Sequence, residues 1–148
     1  MINKKELRIG SSVKDRGGKI FTIDYWESPT KVAAKAPVLD YDPVFGTIYG
    51  HPITEEVDYL QPIDLTKEII LNCGFEIEAK GMAFEYYQIT IYKNCDIKLL
   101  INLHDDCAYV ETIDSCKSLP LCESPIYLHQ LQNLYFQLTG KELKLELK

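Results

Sequence analysis

The sequence contains no uninterrupted run of about 18 apolar residues, which is the length that a membrane-spanning helix requires. Its first residues, Met-Ile-Asn-Lys-Lys, also lack the apolar stretch of a secretory signal. We therefore expect a cytoplasmic protein without membrane contacts. The cysteines are an odd set, and in a reducing compartment they are expected to be free thiols. They are Cys73, Cys95, Cys107, Cys116 and Cys122.

Lysine and arginine are absent from residues 36–66, whereas this stretch holds six aspartates and glutamates. The whole chain has 16 Lys and Arg residues against 22 Asp and Glu residues, and its formal charge is −6. Such a field repels phosphate backbones and argues against nucleic-acid binding by the whole surface. Residues 1–35 are an exception to this acidic character, because the segment is basic. A nucleic-acid contact of the N-terminal hairpin through Lys14, Arg16 and Lys19 is therefore the alternative hypothesis of function.

A metal site with convincing spacing is also lacking. His104, Cys107, Cys116 and Cys122 are soft ligands that lie close together in sequence. Structural zinc prefers two close pairs of ligands, and Cys116 and Cys122 are too far apart to form one. Buried thiols that act as small apolar side chains explain these cysteines better. We expect no metal and no cofactor, and we keep a thiol or zinc enzyme as the second alternative.

The candidate catalytic residues are also placed unfavourably for catalysis. Cys73 is predicted at the end of a helix, where the helix dipole opposes a thiolate. The adjacent pairs Glu55-Glu56 and Asp105-Asp106 each point to opposite faces of an extended chain, so each offers one carboxylate to a given site. His129 falls on a predicted helix, where we expect a partly exposed surface residue. We therefore expect no enzymatic activity.

What the sequence does contain is the composition of a folded domain. Its 148 residues are 46% apolar and 26% charged, and a chain of this length buries roughly two thirds of its unfolded surface. One domain over residues 1–148 is expected, with a β-rich sub-unit over residues 1–62 and an α+β sub-unit over residues 63–148.

The first sub-unit is predicted to be a β-hairpin or a small SH3-like barrel. Alternation in residues 19–25 places Phe21, Ile23 and Tyr25 on one face of a strand, and Gly17-Gly18 suits a hairpin turn. A third strand is expected over residues 31–35. Four prolines and two glycines punctuate residues 36–62 and forbid a long helix, so we expect an ordered loop or a pair of short strands there.

The second sub-unit is predicted to be an antiparallel meander covered by helices. Thr66 and Gly74 frame a short helix over residues 66–73, and residues 83–113 alternate as strands. A helix over residues 125–139 follows, with Ser124 as N-cap and Gly140 as its terminator. Its apolar stripe is formed by Tyr127, Leu131, Leu134 and Leu138. The alternating tail 143–148 predicts a final edge strand. The fold class is therefore α+β.

Aromatic residues are concentrated in and around the acidic segment. Such residues with polar tips among charges are typical of protein-binding surfaces, and they equally serve a small core. Our leading hypothesis is a non-enzymatic accessory protein that binds another protein through this region. The candidate interface residues are Trp26, Tyr41, Phe45, Tyr49 and Tyr59.

Three stretches carry a resemblance to a known group. They are Glu6-Leu-Arg-Ile-Gly, the segment over residues 62–75 that ends Asn-Cys-Gly-Phe, and the segment over residues 127–143 that begins Tyr-Leu-His-Gln-Leu-Gln-Asn. Together they resemble small proteins of prophages and mobile elements in gut Bacteroides-type bacteria. The resemblance implies a bacterial or phage origin. It carries no functional residue across, because no activity is assigned to that group.

Overall fold

The structure, a computed structural model, describes residues 2–35, 38–44, 46–50, 52–78, 85–92, 96–103, 107–112 and 118–146. The chain divides into two compact units, Met1–Ile63 (unit 1) and Asp64–Lys148 (unit 2). Each unit is described by itself.

Within its described residues, unit 1 consists of short antiparallel strands and two 3-10 helices. The elements are the 3-10 helix Lys4–Glu6, β1 (Ser12–Lys14), β2 (Ile20–Thr22), β3 (Tyr25–Ser28), β4 (Lys31–Ala34), β5 (Val38–Asp42), β6 (Gly46–Tyr49), β7 (Ile53–Glu56) and the 3-10 helix Val57–Tyr59. The described strands form the sheets β1-β2, β3-β4-β7 and β5-β6.

The first two strands form the predicted hairpin around the Gly-Gly pair. They pair antiparallel, with Val13 opposite Phe21. Asp15 closes the turn, since its N–H donates to the carbonyl of Lys19 at 2.9 Å and its carboxylate accepts from the N–H of Lys19 at 2.9 Å. Gly18 adopts a φ of +84°, a conformation that favours glycine. The hydrogen bonds that close this turn therefore come from residues adjacent in the sequence.

The predicted strand over residues 19–25 changes its partner half-way along. Its first part is β2, which pairs with β1, and its last residue begins β3, which pairs with β4. Between them, the N–H of Ile23 donates to the carbonyl of Ser11 and the N–H of Asp24 donates to that of Ala33, both at 2.9 Å. One alternating run thus contributes to two sheets.

The middle of unit 1 is a pair of short strands, which is one of the two structures predicted for it. β5 and β6 pair antiparallel over residues 38–49. The predicted third strand is β4, which lies at the centre of its sheet. After the second 3-10 helix, Gln61 forms a backbone bridge with Lys14 of β1. The SH3-like barrel stays a prediction.

The core of unit 1 is one cluster of buried apolar side chains, against which Trp26 and Ile53 also pack. Burial of an aliphatic or aromatic side chain contributes about 1.5–3 kcal/mol. Phe21 and Ile23 belong to the cluster as predicted, but Tyr25 is exposed, because its strand has joined the second sheet. The members are Ile2, Leu7, Val13, Phe21, Ile23, Val32, Ala34, Val57 and Leu60.

Over its described residues, unit 2 is a five-stranded antiparallel sheet with two helices, which confirms the α+β class. The elements are α1 (Lys67–Asn72), β8 (Glu76–Glu78), β9 (Tyr86–Tyr92), β10 (Ile97–Ile101), β11 (Cys107–Thr112), β12 (Ser118–Glu123) and α2 (Leu128–Thr139). The strands follow the order β12-β11-β10-β9-β8, so the predicted meander gains a further strand at each edge.

The short helix α1 begins and ends as predicted. The Oγ1 of Thr66 accepts a hydrogen bond from the N–H of Ile69 at 3.3 Å and so caps the first turn. Gly74 follows the helix with a φ of +90°. The N–H of Phe75 donates to the carbonyl of Ile70 at 3.4 Å, which is the Schellman ending, and both side chains are buried.

The second helix begins later than predicted. α2 starts at Leu128, whereas the sequence predicted a helix over residues 125–139 with Ser124 as its N-cap. The hydroxyl of Ser124 instead donates to the carbonyl of Asn102 at 3.4 Å. The predicted end is confirmed, because Gly140 has a φ of +69°.

The late start of α2 has a tertiary cause. Leu65 donates its N–H to the carbonyl of Ile126 at 3.0 Å, and Asp64 forms a backbone bridge with Tyr127. Residues that pair with another segment in this way do not enter a helix. The side chain of Gln130 then reaches back and accepts from the N–H groups of Ile126 and Tyr127, at 3.0 and 3.2 Å.

The predicted final strand is wrong over residues 143–146, the part of the tail that the structure describes, because no strand forms there. The carbonyl of Leu143 accepts from the Nε2 of Gln132 at 2.9 Å, and the N–H of Glu146 donates to the carbonyl of Asn72 at 3.0 Å. The side chain of Gln132 and the carbonyl of Asn72 at the end of α1 therefore form the hydrogen bonds that a neighbouring strand would have formed with the tail.

Replacing Gly74 with alanine should lower the free energy of unfolding of the chain by about 1 kcal/mol, because a Cβ disfavours a positive φ. Gly74→Asn should cost less, since asparagine tolerates this conformation. Urea denaturation followed by circular dichroism measures both. Equal losses for the two variants would contradict the assignment of the cost to backbone conformation.

Candidate functional site

Arg16 is the most extensively engaged residue of the predicted nucleic-acid set. Its guanidinium carbon lies 3.7 Å from the centre of the Tyr59 ring, and its Nη2 lies 3.7 Å from the Oε1 of Glu55. Its backbone N–H also donates to the Oε2 of Glu55 at 3.2 Å. The turn between β1 and β2 is thereby attached to the end of β7 and to the 3-10 helix that follows.

Basic and acidic segments of unit 1 also meet at a second position. The Nζ of Lys4 lies 2.9 Å from the Oδ1 of Asp58. Such exposed ion pairs contribute at most about 1 kcal/mol each, but they compensate charge locally. Of the other two predicted contacts, Lys14 is half-buried and Lys19 is exposed. The basic N-terminal segment therefore has part of its charge directed towards the acidic segment of its own unit.

The four candidate interface residues that the structure describes lie in three environments. Trp26 is half-buried against the core of unit 1, which favours a structural role for it. Tyr59 is 49% exposed beneath the Arg16 guanidinium. Tyr41 and Tyr49 belong to β5 and β6, where the register places them opposite Thr47 and Val38. Phe45 lies outside the described residues.

The soft ligands considered for zinc fall only partly within the described residues. Cys107 and Cys122 lie on the neighbouring strands β11 and β12, whose register places them opposite Glu123 and Ala108. His104 and Cys116 lie outside the described residues, as do Cys95, His51 and Asp105-Asp106. Over the parts of the chain that the structure describes, no group of three or more His, Cys, Asp or Glu side chains is placed to hold a metal ion.

Two of the described thiols, Cys73 and Cys122, lack the surroundings of a nucleophile. Burial raises the pKa of the Cys73 thiol to about 11. The pKa of Cys122 is also raised, first by partial burial and then by Cys107 and Glu123 nearby. A catalytic thiol needs a lowered pKa, which neighbouring cations or a helix N-terminus supply. Both shifts therefore have the wrong direction for a thiol enzyme.

An ionised network at the start of β9 has no counterpart in the sequence predictions. The Nζ of Lys67 lies 2.9 and 3.2 Å from the carboxylate oxygens of Glu85, and the hydroxyl of Tyr87 donates to the same carboxylate at 3.1 Å. The hydrogen bond to Lys67 lowers the pKa of Glu85, and Glu85 raises the pKa of Lys67. Burial and Glu85 raise the pKa of Tyr87. Every group is held in its ordinary ionisation state, which suits a structural link between α1 and β9.

His129 contradicts the expectation of a partly exposed residue. It is 1% exposed, as is Gln132 one turn later on the same helix. The His129 ring stacks on that of Tyr127, with a centroid distance of 5.8 Å and an interplanar angle of 10°. Leu128 and Leu131 are also fully buried, so the buried face of α2 is displaced from the predicted stripe. Two polar side chains therefore belong to the interior of unit 2.

Searches with this chain matched no protein-family model, no curated protein and no solved structure. The resemblance to proteins of prophages and mobile elements thus stays a prediction. In the described part of the chain, neither helix has the length and apolar character needed to cross a membrane.

Alkylation should distinguish the exposed thiol of Cys122 from the buried thiol of Cys73. With iodoacetamide near pH 8, Cys122 should react in the folded protein, because it is exposed, whereas Cys73 should react only after unfolding. Peptide mass spectrometry with and without guanidinium gives the modified fraction of each. Rapid modification of Cys73 in the folded protein would contradict its burial and its raised pKa.

Gln132→Leu should reduce the free energy of unfolding by about 1–3 kcal/mol, because it removes the donor to the Leu143 carbonyl in a buried position. The matched control is Gln137→Leu, at an exposed position of the same helix, which should change stability by less than about 0.5 kcal/mol. Urea denaturation compares the two. Similar effects would show that the buried hydrogen bond contributes little.

Proposed function

We propose that this chain is a non-enzymatic accessory protein that binds another protein through the β5–β6 hairpin of unit 1. One observation carries the proposal. Among the described strands, β5 and β6 pair only with each other. Each strand therefore has a second edge that no other described strand occupies, and such edges offer backbone hydrogen-bonding groups to another chain.

The composition of the hairpin supports the same function. A two-stranded hairpin is marginally stable by itself, so pairing with a further chain would stabilise it. The segment contributes Tyr41, Phe45 and Tyr49, and aromatic residues are enriched where proteins bind each other. These three residues lie within nine positions of one another in the sequence.

Charge indicates the kind of surface that the hairpin would meet. Asp40 and Asp42 lie on β5, and residues 36–66 contain no Lys or Arg. Elsewhere in this acidic segment, Glu55 and Asp58 have basic partners from the N-terminal segment. A partner with basic groups around an apolar centre complements the hairpin, and association should weaken as salt screens the attraction.

The alternative functions have less support. For nucleic acid, Arg16 would have to leave Glu55 and Tyr59, or would have to bind phosphate while sharing its charge with them. For a thiol enzyme, both perturbed thiols have raised pKa values. Contact of Lys14, Arg16 and Lys19 with nucleic acid stays a prediction, as does the absence of enzymatic activity.

The combined variant Tyr41→Ala and Tyr49→Ala should lose a partner that the unaltered chain retains in affinity capture from a bacterial lysate. The control is Tyr25→Ala with Tyr92→Ala, two exposed tyrosines outside the hairpin, which should retain the partner. Circular dichroism checks that both variants are folded. A partner that survives the hairpin variant, or is lost equally from both, would overturn the proposal.

A further inference from the structure

A cavity of about 260 Å³ lies within unit 2, bordered by residues of β8, β9 and β10. It is smaller than the range of about 300–1,000 Å³ that is usual for drug-sized ligands, so its size suits a small metabolite. A Cβ at Gly74 would meet no atom within 4 Å, which leaves this wall of the cavity open. The described residues that line the cavity are Gly74, Glu76, Gln88, Ile89, Thr90 and Lys98.

The pairing register places the four polar side chains of this lining on one face of the sheet. Glu76 lies opposite Gln88, and Lys98 lies opposite Thr90. Gln88 and Thr90 are two residues apart on β9, and side chains with this spacing point to the same face of a strand. β9 separates β8 from β10, so the backbones that carry Glu76 and Lys98 are about 10 Å apart. A small molecule can therefore lie between the two charged groups.

The cavity offers one carboxylate and one ammonium. Neither Glu76 nor Lys98 forms an ion pair with any residue that the structure describes. Glu111 lies opposite Lys98 on β11, but it does not line the cavity. A ligand with a single charge would be attracted by one of the two groups and repelled by the other, whereas a ligand with both charges would complement both.

The amide of Gln88 adds a hydrogen-bond acceptor beside the carboxylate. Gln88 is half-buried, and its Oε1 is shielded from solvent and accepts no hydrogen bond from the described part of the chain. Buried acceptors without a donor are uncommon in folded proteins. An ammonium that enters beside Gln88 can donate to this oxygen and to Glu76. On the neighbouring pair of strands, the hydroxyl of Thr90 can donate to a carboxylate that Lys98 attracts.

We propose that this cavity binds a small zwitterion, a molecule that carries one ammonium and one carboxylate. The ammonium lies at Glu76 and Gln88, and the carboxylate lies at Lys98 and Thr90. Free α-amino acids and ω-amino acids share this chemistry and differ in the distance between their two charges. The site belongs to unit 2 and does not depend on the function proposed for the β5–β6 hairpin.

Saturation-transfer NMR with the full chain tests this proposal. The probes are the standard α-amino acids together with β-alanine, γ-aminobutyrate and ε-aminocaproate, each at millimolar concentration. At least one probe should bind, and the series to which it belongs gives the distance between the charges. Its N-acetyl derivative and its methyl ester each lack one charge and should bind at least about fivefold more weakly. Binding by none of the probes, or equal binding by both blocked derivatives, would overturn the proposal.

Neutral variants of the two charged residues test whether the zwitterion binds in this cavity. Glu76→Gln and Lys98→Met should each weaken binding of the same probe by about fivefold or more. The matched controls Glu68→Gln and Lys144→Met, at exposed positions of unit 2 outside the cavity, should leave the affinity within about twofold. Circular dichroism checks that all four variants are folded. Unchanged affinity in both cavity variants would refute the proposed site, because the probe would then bind elsewhere.

Discussion

The backbone interaction of residues 64–65 with residues 126–127 determines the arrangement of unit 2. Because Leu65 donates to the Ile126 carbonyl, the chain enters α2 only at Leu128. That start places Leu128, His129, Leu131 and Gln132 on the buried face, and Gln132 in turn holds the tail at Leu143. It also keeps residues 125–127 outside the helix.

In unit 1, ion pairs between distant segments connect parts of the chain that the sequence alone does not link. The sequence divides into a basic segment and an acidic one, which by themselves suggest two opposite functions. The pairs Lys4–Asp58 and Arg16–Glu55 connect these segments, and the Arg16 guanidinium also covers Tyr59. Part of the basic N-terminal segment is therefore paired with acidic residues of its own unit, which weakens the case for phosphate binding. The hairpin β5–β6 pairs with no other described strand, and we therefore propose it as the interface of this unit.

Predictions that depended on neighbouring residues were the accurate ones. The turn around Gly18, the cap at Thr66 and the endings at Gly74 and Gly140 each depend on a few adjacent residues, and all four are confirmed. The alternating runs of the meander also predicted their strands, because a half-buried sheet requires that period. Predictions failed where a distant segment competed for the backbone, as at the start of α2 and in the tail. The sequence did not predict the Lys67–Glu85 pair, because its members lie eighteen positions apart in the chain.

By itself, the sequence determined the α+β class, the order of most elements and the positions where helices end, because these follow from local conformational preference and hydrophobic period. Only the tertiary structure decided that His129 and Gln132 are buried, that Arg16 lies against Glu55 and Tyr59, and that Glu76 and Lys98 line one cavity. Burial and charge pairing depend on which segments meet in space. Segments such as 64–65 and 126–127 are far apart along the chain, and the local sequence of neither segment predicts that it pairs with the other.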